Sequence, residues 1–188
     1  MKKGLLIVYS GLSGVGKGTI LERLMPMSEL NLAYSVSMTT RKQRDGEIEG
    51  KNYFFVTKER FKEAILNGEL LEHARFVEND YGTPKDYVEK MRNKGKNVIL
   101  EIEIRGAKQV LEKCPDALSI YIVPPSMEEL ERRIRERNTE DEDTIMKRLA
   151  KAKRELEDIN IYEHVVCNDD LDKATEEIRQ IILKEMNK

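Results

Sequence analysis

Glycines at 11, 14, 16 and 18 surround one lysine in the stretch Gly11-Leu12-Ser13-Gly14-Val15-Gly16-Lys17-Gly18-Thr19. Glycine lets a backbone take left-handed conformations and approach an anion closely. N–H groups at a helix start point toward negative charge along a favourable dipole. The spacing follows G-x-x-x-x-G-K-[ST], in which the lysine reaches the β- and γ-phosphates and the closing hydroxyl helps hold Mg²⁺. It departs in one place, because position 18 is glycine and the hydroxyl falls on Thr19. Adjacent helical positions lie about 100° apart, so Thr19 need not reach the place a hydroxyl at 18 would occupy. Residues Gly11, Leu12, Ser13, Gly14, Val15, Gly16, Lys17, Gly18 and Thr19 are therefore expected to bind the phosphates of ATP or GTP. Mg²⁺ is expected to be held by phosphate oxygens and water rather than by direct protein ligands. Glu101 or Glu103 is a candidate to order those waters from the end of an apolar run at 98–100.

A second cluster follows at 35–56. Arg41 and Arg44 stand three apart, with Tyr53 and Tyr81 further along. Arginine forks grip phosphate bidentately and tyrosine hydroxyls add neutral donors. On spacing alone a solvated turn with incidental charge is as good a reading. His73 and His164 lack metal-ligand spacing or a nucleophile partner and read as structural. Cys114 and Cys167 stand far apart without a C-x-x-C pattern, which argues against a disulfide framework or zinc site and fits a reducing cytoplasm.

The elements that must position these groups can be read coarsely. The 188 residues suit one domain, and 39% apolar content suffices for a sizeable core. The net charge of −2 gives no electrostatic case for nucleic acid or a membrane surface. The opening Met1-Lys2-Lys3 and its apolar run fall short of the ~7–15-residue core of a signal peptide. No segment approaches the ~20 apolar residues of a membrane span. Leu5–Tyr9, Val98–Leu100 and Leu118–Val123 are apolar on both faces, as parallel strands covered by helices must be. Helices are expected at Gly16–Met25, Lys58–Asn67, Arg105–Lys113, Met127–Arg137 (opened by a Ser126 capping box), Asp143–Asn160 and from Asp170 to Met186. A further helix is expected at Pro84–Lys94, with Thr83 as N-cap and Pro84 at the first position. His164–Cys167 reads as a strand. Tyr34–Thr40, 52–56 and 70–76 read as strands of an inserted lobe, and the charged run 131–143 as a mobile surface segment. The fold class is α/β: a P-loop open parallel sheet flanked by helices, with an inserted mixed α/β lobe and a helical lid.

The GKGT ending is familiar from nucleoside monophosphate kinases. The stretch 37–55 carries Ser37, Thr39-Thr40-Arg41, Arg44, Gly46-Glu47, Gly50, Tyr53 and Phe55, and this pattern resembles the signature of guanylate kinases. The resemblance continues in order through LLEHARFVENDYGTP, VILEIEIRGAKQV, IYIVPPS, RRIRERNTEDEDTIMKRLAKAKRE and VVCNDD, and so covers nearly the whole chain. It implies that Arg41, Arg44, Tyr53 and Tyr81 hold the GMP phosphate. It implies that Glu72, with Ser37 and Thr83, reads the guanine. One carboxylate can accept from both N1–H and N2–H₂ of guanine, whereas adenine presents an acceptor at N1. Glu103 maps to an acidic residue also linked to guanine; aspartate is common there, so glutamate changes the reach. Arg133, Arg137 and Arg148 map to arginines that family members bring onto the triphosphate, although such a run is otherwise an ordinary solvated helix face. Asn138 stands where the family often has glycine. Asn168 maps near the adenine of ATP, with helix capping as its alternative.

The implied activity is transfer of the ATP γ-phosphoryl group to GMP, and to dGMP, with Mg²⁺ and with Lys17, Arg41, Arg133, Arg137 and Arg148 as the catalytic groups. The implied organisation is a core at about 1–35, 94–125 and 163–188, a GMP lobe at about 36–93 and a lid at about 126–162. The partners expected are ATP and GMP, not nucleic acid or membrane, in the cytoplasm, as a monomer or homodimer. Two alternatives differ in class. One is a P-loop kinase acting on another small phosphorylated compound. The other is a non-catalytic guanylate-kinase-like module that binds phosphopeptides, against which the intact Gly11, Gly16 and Lys17 argue.

Overall fold

The computed structural model describes residues 2–76, 78–136 and 141–188. Its contacts divide the chain into two compact units. One comprises the N-terminal residues up to Ile7 together with Ala33–Ala117, and the other Val8–Leu32 together with Leu118–Lys188.

The second unit is built on β1 (Leu6–Gly11), β8 (Leu118–Val123) and β9 (His164–Cys167), neighbours in that order. β8 and β9 pair in parallel, Ile120 opposite His164 through Val123 opposite Cys167. β1 and β8 are buried almost throughout, because helices cover them and leave no polar face. Among the described residues its α-helices are α1 (Lys17–Leu24), α5 (Met127–Glu136), α6 (Glu142–Leu156) and α7 (Leu171–Met186). α1 packs on α7, and α5 on α6. Ser126 accepts from the Glu129 N–H at 3.1 Å at the start of α5. Asp141 and Asp170 cap α6 and α7 through the N–H groups of Thr144 and Lys173, which satisfies helix-end donors that otherwise lack partners.

The first unit holds the start of β1, then β7 (Asn97–Glu101) and β2 (Leu32–Tyr34) side by side. It also holds a four-stranded sheet in the order β4 (Tyr53–Phe55), β3 (Ser37–Thr39), β6 (Asn79–Pro84), β5 (Leu70–Phe76). β3 pairs parallel with β4 and antiparallel with β6, and β6 pairs antiparallel with β5. α2 (Lys58–Leu66) covers this sheet with Phe61 and Ala64, which meet Met38 and Leu70 in a small apolar core. α3 (Lys85–Asn93) and α4 (Ile104–Lys113) complete the unit. Buried Arg92 ties α3 down, its Nε donating to the Gly4 carbonyl at 2.9 Å and its fork reaching Glu89 and Asp116.

A mixed α/β architecture with a parallel sheet flanked by helices is the class expected. Two local expectations are corrected. Thr83 does not cap α3: it lies inside β6, its hydroxyl is spent on Glu72, and Pro84 takes the capping position. Within the charged run 131–143, residues 131–136 belong to α5 as expected and Asp141 is the N-cap of α6, while 137–140 lie outside the described residues. The expected strand at 34–40 is two elements, since Tyr34 closes β2 and Ser37 opens β3.

Candidate active site

The glycine-rich loop joins β1 to α1. Gly14 and Gly16 have φ of +90° and +97°, in the left-handed region where a side chain is strained. A Cβ on Gly16 would stand 2.7 Å from the Asn168 amide nitrogen, and one on Gly11 would stand 2.7 Å from the Ile122 carbonyl. The loop is thus drawn tight against β8 and the turn after β9. Lys17 folds back over it, with Nζ donating to the carbonyls of Gly11 at 2.9 Å and Leu12 at 3.3 Å. Asn168 is buried and donates to the Val15 carbonyl at 2.8 Å. Arg133 donates to the Asn168 carbonyl at 3.0 Å and to Glu129 at 2.7 Å. The forks of Arg132 and Arg133 hold the Glu129 carboxyl down to about 2. Arg148 reaches from α6 to the Ser13 hydroxyl at 2.6 Å. A cavity of about 410 Å³ opens beside the loop, lined by Gly16, Thr19, Arg133, Asn168 and Asp169 among others. Thr19 faces this cavity, whereas a Cβ on Gly18 would meet nothing within 4 Å.

The first unit gathers a different set of groups. The Glu47 carboxylate takes both arms of Arg41, at 2.7 and 3.1 Å, and the Arg44 backbone N–H at 2.8 Å. Those bonds pull the Glu47 carboxyl below its ordinary value, the Arg41 fork contributing most. Arg41 lies over the Tyr53 and Phe55 rings, 5.3 and 5.8 Å from their centroids, and Tyr81 meets Tyr53 edge-on at 6.0 Å. The Thr39 hydroxyl accepts from the Arg41 N–H and donates to the Asp80 carbonyl. A smaller cavity of about 100 Å³ is lined by Ser37, Tyr53, Thr83, Tyr34 and Glu101 among others. Next to Thr83 lies Glu72. It is 6% exposed, and its Oε1 accepts from the Thr83 hydroxyl at 2.7 Å. Burial pushes the Glu72 carboxyl up, and the Thr83 bond and the Lys113 charge oppose that shift.

The family model described as guanylate kinase matches residues 3–185. The chain belongs to the guanylate kinase family. It is 53% identical over 182 residues to a guanylate kinase of Mycoplasma mycoides subsp. mycoides, covering 97% of this chain and 61% of that one. A guanylate kinase of Lactococcus lactis subsp. lactis is 49% identical over 181 residues, covering 96% and 88%. The chain therefore spans less than two thirds of the length of the first of these relatives. A crystal structure of guanylate kinase from Anaplasma phagocytophilum matches with a TM-score of 0.73 and 35% identity, covering 100% of this chain and 89% of that one.

For this member of the guanylate kinase family, the residues singled out by sequence fall as follows. Lys17, Arg133, Arg148 and Asn168 converge on the glycine loop within one unit, while Arg41, Tyr53 and Tyr81 converge within the other. Ser37, Thr83 and Glu72 follow from the pairing of β3, β6 and β5. Arg44 is exposed and joins the cluster through its backbone. Glu103 stands at the N-cap position of α4, its carbonyl accepting from Ala107 N–H. Glu101 accepts from the Tyr34 hydroxyl at 2.6 Å. Asn168 does not cap α7, since Asp170 does. Arg137 and Asn138 lie outside the described residues. Two partners escaped sequence reasoning: Glu47, visible in the motif but without an evident role until Arg41 folds onto it, and Tyr34.

Proposed function

We propose that this chain transfers the ATP γ-phosphoryl group to GMP, giving ADP and GDP. The observation that carries the choice of acceptor is the buried Glu72 carboxylate, one oxygen of which already takes the Thr83 hydroxyl. A desolvated carboxylate needs donors, and guanine supplies two adjacent ones, N1–H and N2–H₂. An adenine or pyrimidine edge does not offer that adjacent pair of donors and sets an acceptor beside its donor, against the carboxylate, and such mismatched buried polar groups are what make a site selective. Ser37 completes the reading as a donor to O6. Arg41, Arg44, Tyr53 and Tyr81 take the acceptor phosphate, which must share the Arg41 fork with Glu47 or displace that carboxylate, its partner in the free protein. On the donor side the loop 11–19 and Lys17 hold the triphosphate, and Asn168 stands by the adenine. Arg133, Arg137 and Arg148 stabilise charge on the transferred group, since such catalysis rests on positioning and electrostatics.

The residues fit Mg²⁺ carried by the nucleotide. Gly18 offers no hydroxyl, and among the described residues no three His, Cys, Asp or Glu side chains are grouped to hold a metal. Phosphate oxygens and water would be its ligands, with Glu101 ordering water from the end of β7. When bound, the ion neutralises charge on the β- and γ-phosphates. Every other step belongs to the chain: the loop orients the donor, Glu72 orients the acceptor, and the acceptor's own phosphate oxygen attacks.

The test is ADP formation from ATP and Mg²⁺ with GMP, AMP, UMP and dTMP in parallel, beside an acceptor-free blank. Turnover with GMP over a low blank, and little with the others, is the expected result. Folded protein that binds ATP yet turns over none of them would overturn the assignment.

A further inference from the structure

β5 is an edge strand of its sheet, so the backbone groups on its outer side lack a strand partner. Helix α4 supplies one with side chains. Gln109 accepts from the His73 N–H at 3.1 Å and donates to the His73 carbonyl at 2.9 Å, as a paired strand would. Lys113 donates to the carbonyls of Leu71 at 2.8 Å and Leu70 at 3.2 Å. Glu72 lies between these two anchors. On its other side the ladder with β6 slips register between Leu70, opposite Pro84, and His73, opposite Gly82. Irregularities of this kind re-aim a side chain. The carboxylate so aimed comes to rest on Gly106, where a Cβ would stand 2.7 Å from Glu72 Oε2. Glycine within a helix is unfavourable relative to alanine, and here a Cβ would displace the Glu72 carboxylate from its place. Residues 106, 109 and 113 share one face of α4 at helical spacing.

We propose that this stripe, Gly106, Gln109 and Lys113, is a positioning device that aims the Glu72 carboxylate and thereby sets how sharply the acceptor base is discriminated. The inference rests on the reading of Glu72 as the guanine-reading group. A stripe that only covered an edge strand would affect stability and all acceptors alike. A positioning stripe changes how the carboxylate meets guanine's two adjacent donors, of which inosine monophosphate keeps N1–H and lacks the 2-amino group.

The experiment compares kcat/KM for GMP and inosine monophosphate in wild type, Gly106→Ala, Gln109→Ala, Glu72→Gln and the Glu72→Gln/Gln109→Ala pair, with thermal melts on each. The GMP preference is expected to fall about tenfold in Gly106→Ala and Gln109→Ala. KM for GMP should rise, while kcat and KM for ATP stay within about twofold. Gln109→Ala should take nothing further from the preference once Glu72 is Gln. Should Gly106→Ala show no cooperative melt, Gln109→Ala carries the test. Equal losses on both acceptors, or an intact preference in the stripe variants while Glu72→Gln collapses it, would overturn the positioning role. If Glu72→Gln itself leaves the preference intact, the guanine-reading role falls and takes this inference with it.

Discussion

Glu72 concentrates the conflict between stability and recognition in one side chain. Its carboxyl is buried, and burial outweighs the Thr83 hydrogen bond and the Lys113 charge, so its folded pKa lies above the ordinary 4.5. A folded pKa raised above the unfolded one contributes stability that is fully present below the unfolded value. That contribution is lost as pH rises through the folded value. Ionising Glu72 is therefore a burden on the free protein, one that the proposed guanine donors would relieve. Glu72→Gln should accordingly gain stability relative to wild type as pH rises from 4 to 8, whatever its offset at pH 4, by denaturant melts at the two pH values. A flat difference would remove the desolvation argument. The same variant should lose about 10- to 100-fold in kcat/KM for GMP, because an amide presents a donor where guanine also donates. The Arg41–Glu47 pair works otherwise: its partly exposed carboxylate is held charged, and its role is geometric.

At the scale of elements, the glycine loop shows how much one backbone conformation demands of sequence. Two of its glycines make opposite predictions. Gly16 sits at φ +97° with the Asn168 amide nitrogen 2.7 Å from any Cβ. Alanine there combines left-handed strain of about 1–2 kcal/mol with displacement of the Asn168–Val15 bond. Gly16→Ala should melt several degrees lower and lose ATP binding by calorimetry. Gly18 lies inside α1 with open space around its Cβ position, so it only costs backbone entropy. Gly18→Ala should stabilise the nucleotide-free protein by about 0.5–1 kcal/mol, read as a melting point higher by about 2 °C. A lower melting point for Gly18→Ala would mean the loop needs glycine at 18 for a backbone reason. The loop was legible in the sequence because its motif is local, nine consecutive residues with their glycines and lysine at set spacing. β6 was not legible. Asn79-Asp80-Tyr81-Gly82-Thr83-Pro84 is poor in strand formers, yet ladders with β3 on one side and β5 on the other impose the strand, since strand preference is mostly a matter of neighbours. That error also misplaced Thr83 as a helix cap. The Thr83–Glu72 bond and the fold of Arg41 onto Glu47 were hidden for the same reason, because both are made between turn-linked segments. The arginines at 133 and 148 could be named only by resemblance, and their spacing alone describes an ordinary charged helix.

At the scale of the molecule, the two sets of residues belong to separate contact units. Lys17, Arg133, Arg148 and Asn168 are bonded among Ser13, Val15 and the loop carbonyls. Glu72, Thr83, Arg41 and Glu47 are bonded among themselves and to β3 and β6. Because the two sets lie in separate contact units, each nucleotide's binding should be removable by itself. Lys17→Met takes away the positive charge expected at the β- and γ-phosphates. Losing one such electrostatic group costs about 10²–10³ in turnover, and phosphoryl transfer depends on little else from the protein. GMP binding to Lys17→Met, measured by calorimetry without ATP, should stay within about twofold of wild type. Glu72→Gln should show the reverse, with ATP binding kept and GMP binding weakened. Loss of GMP binding in Lys17→Met would mean that the acceptor site depends on the glycine loop for its shape. The proposed separation of donor-binding from acceptor-binding residues would then fall.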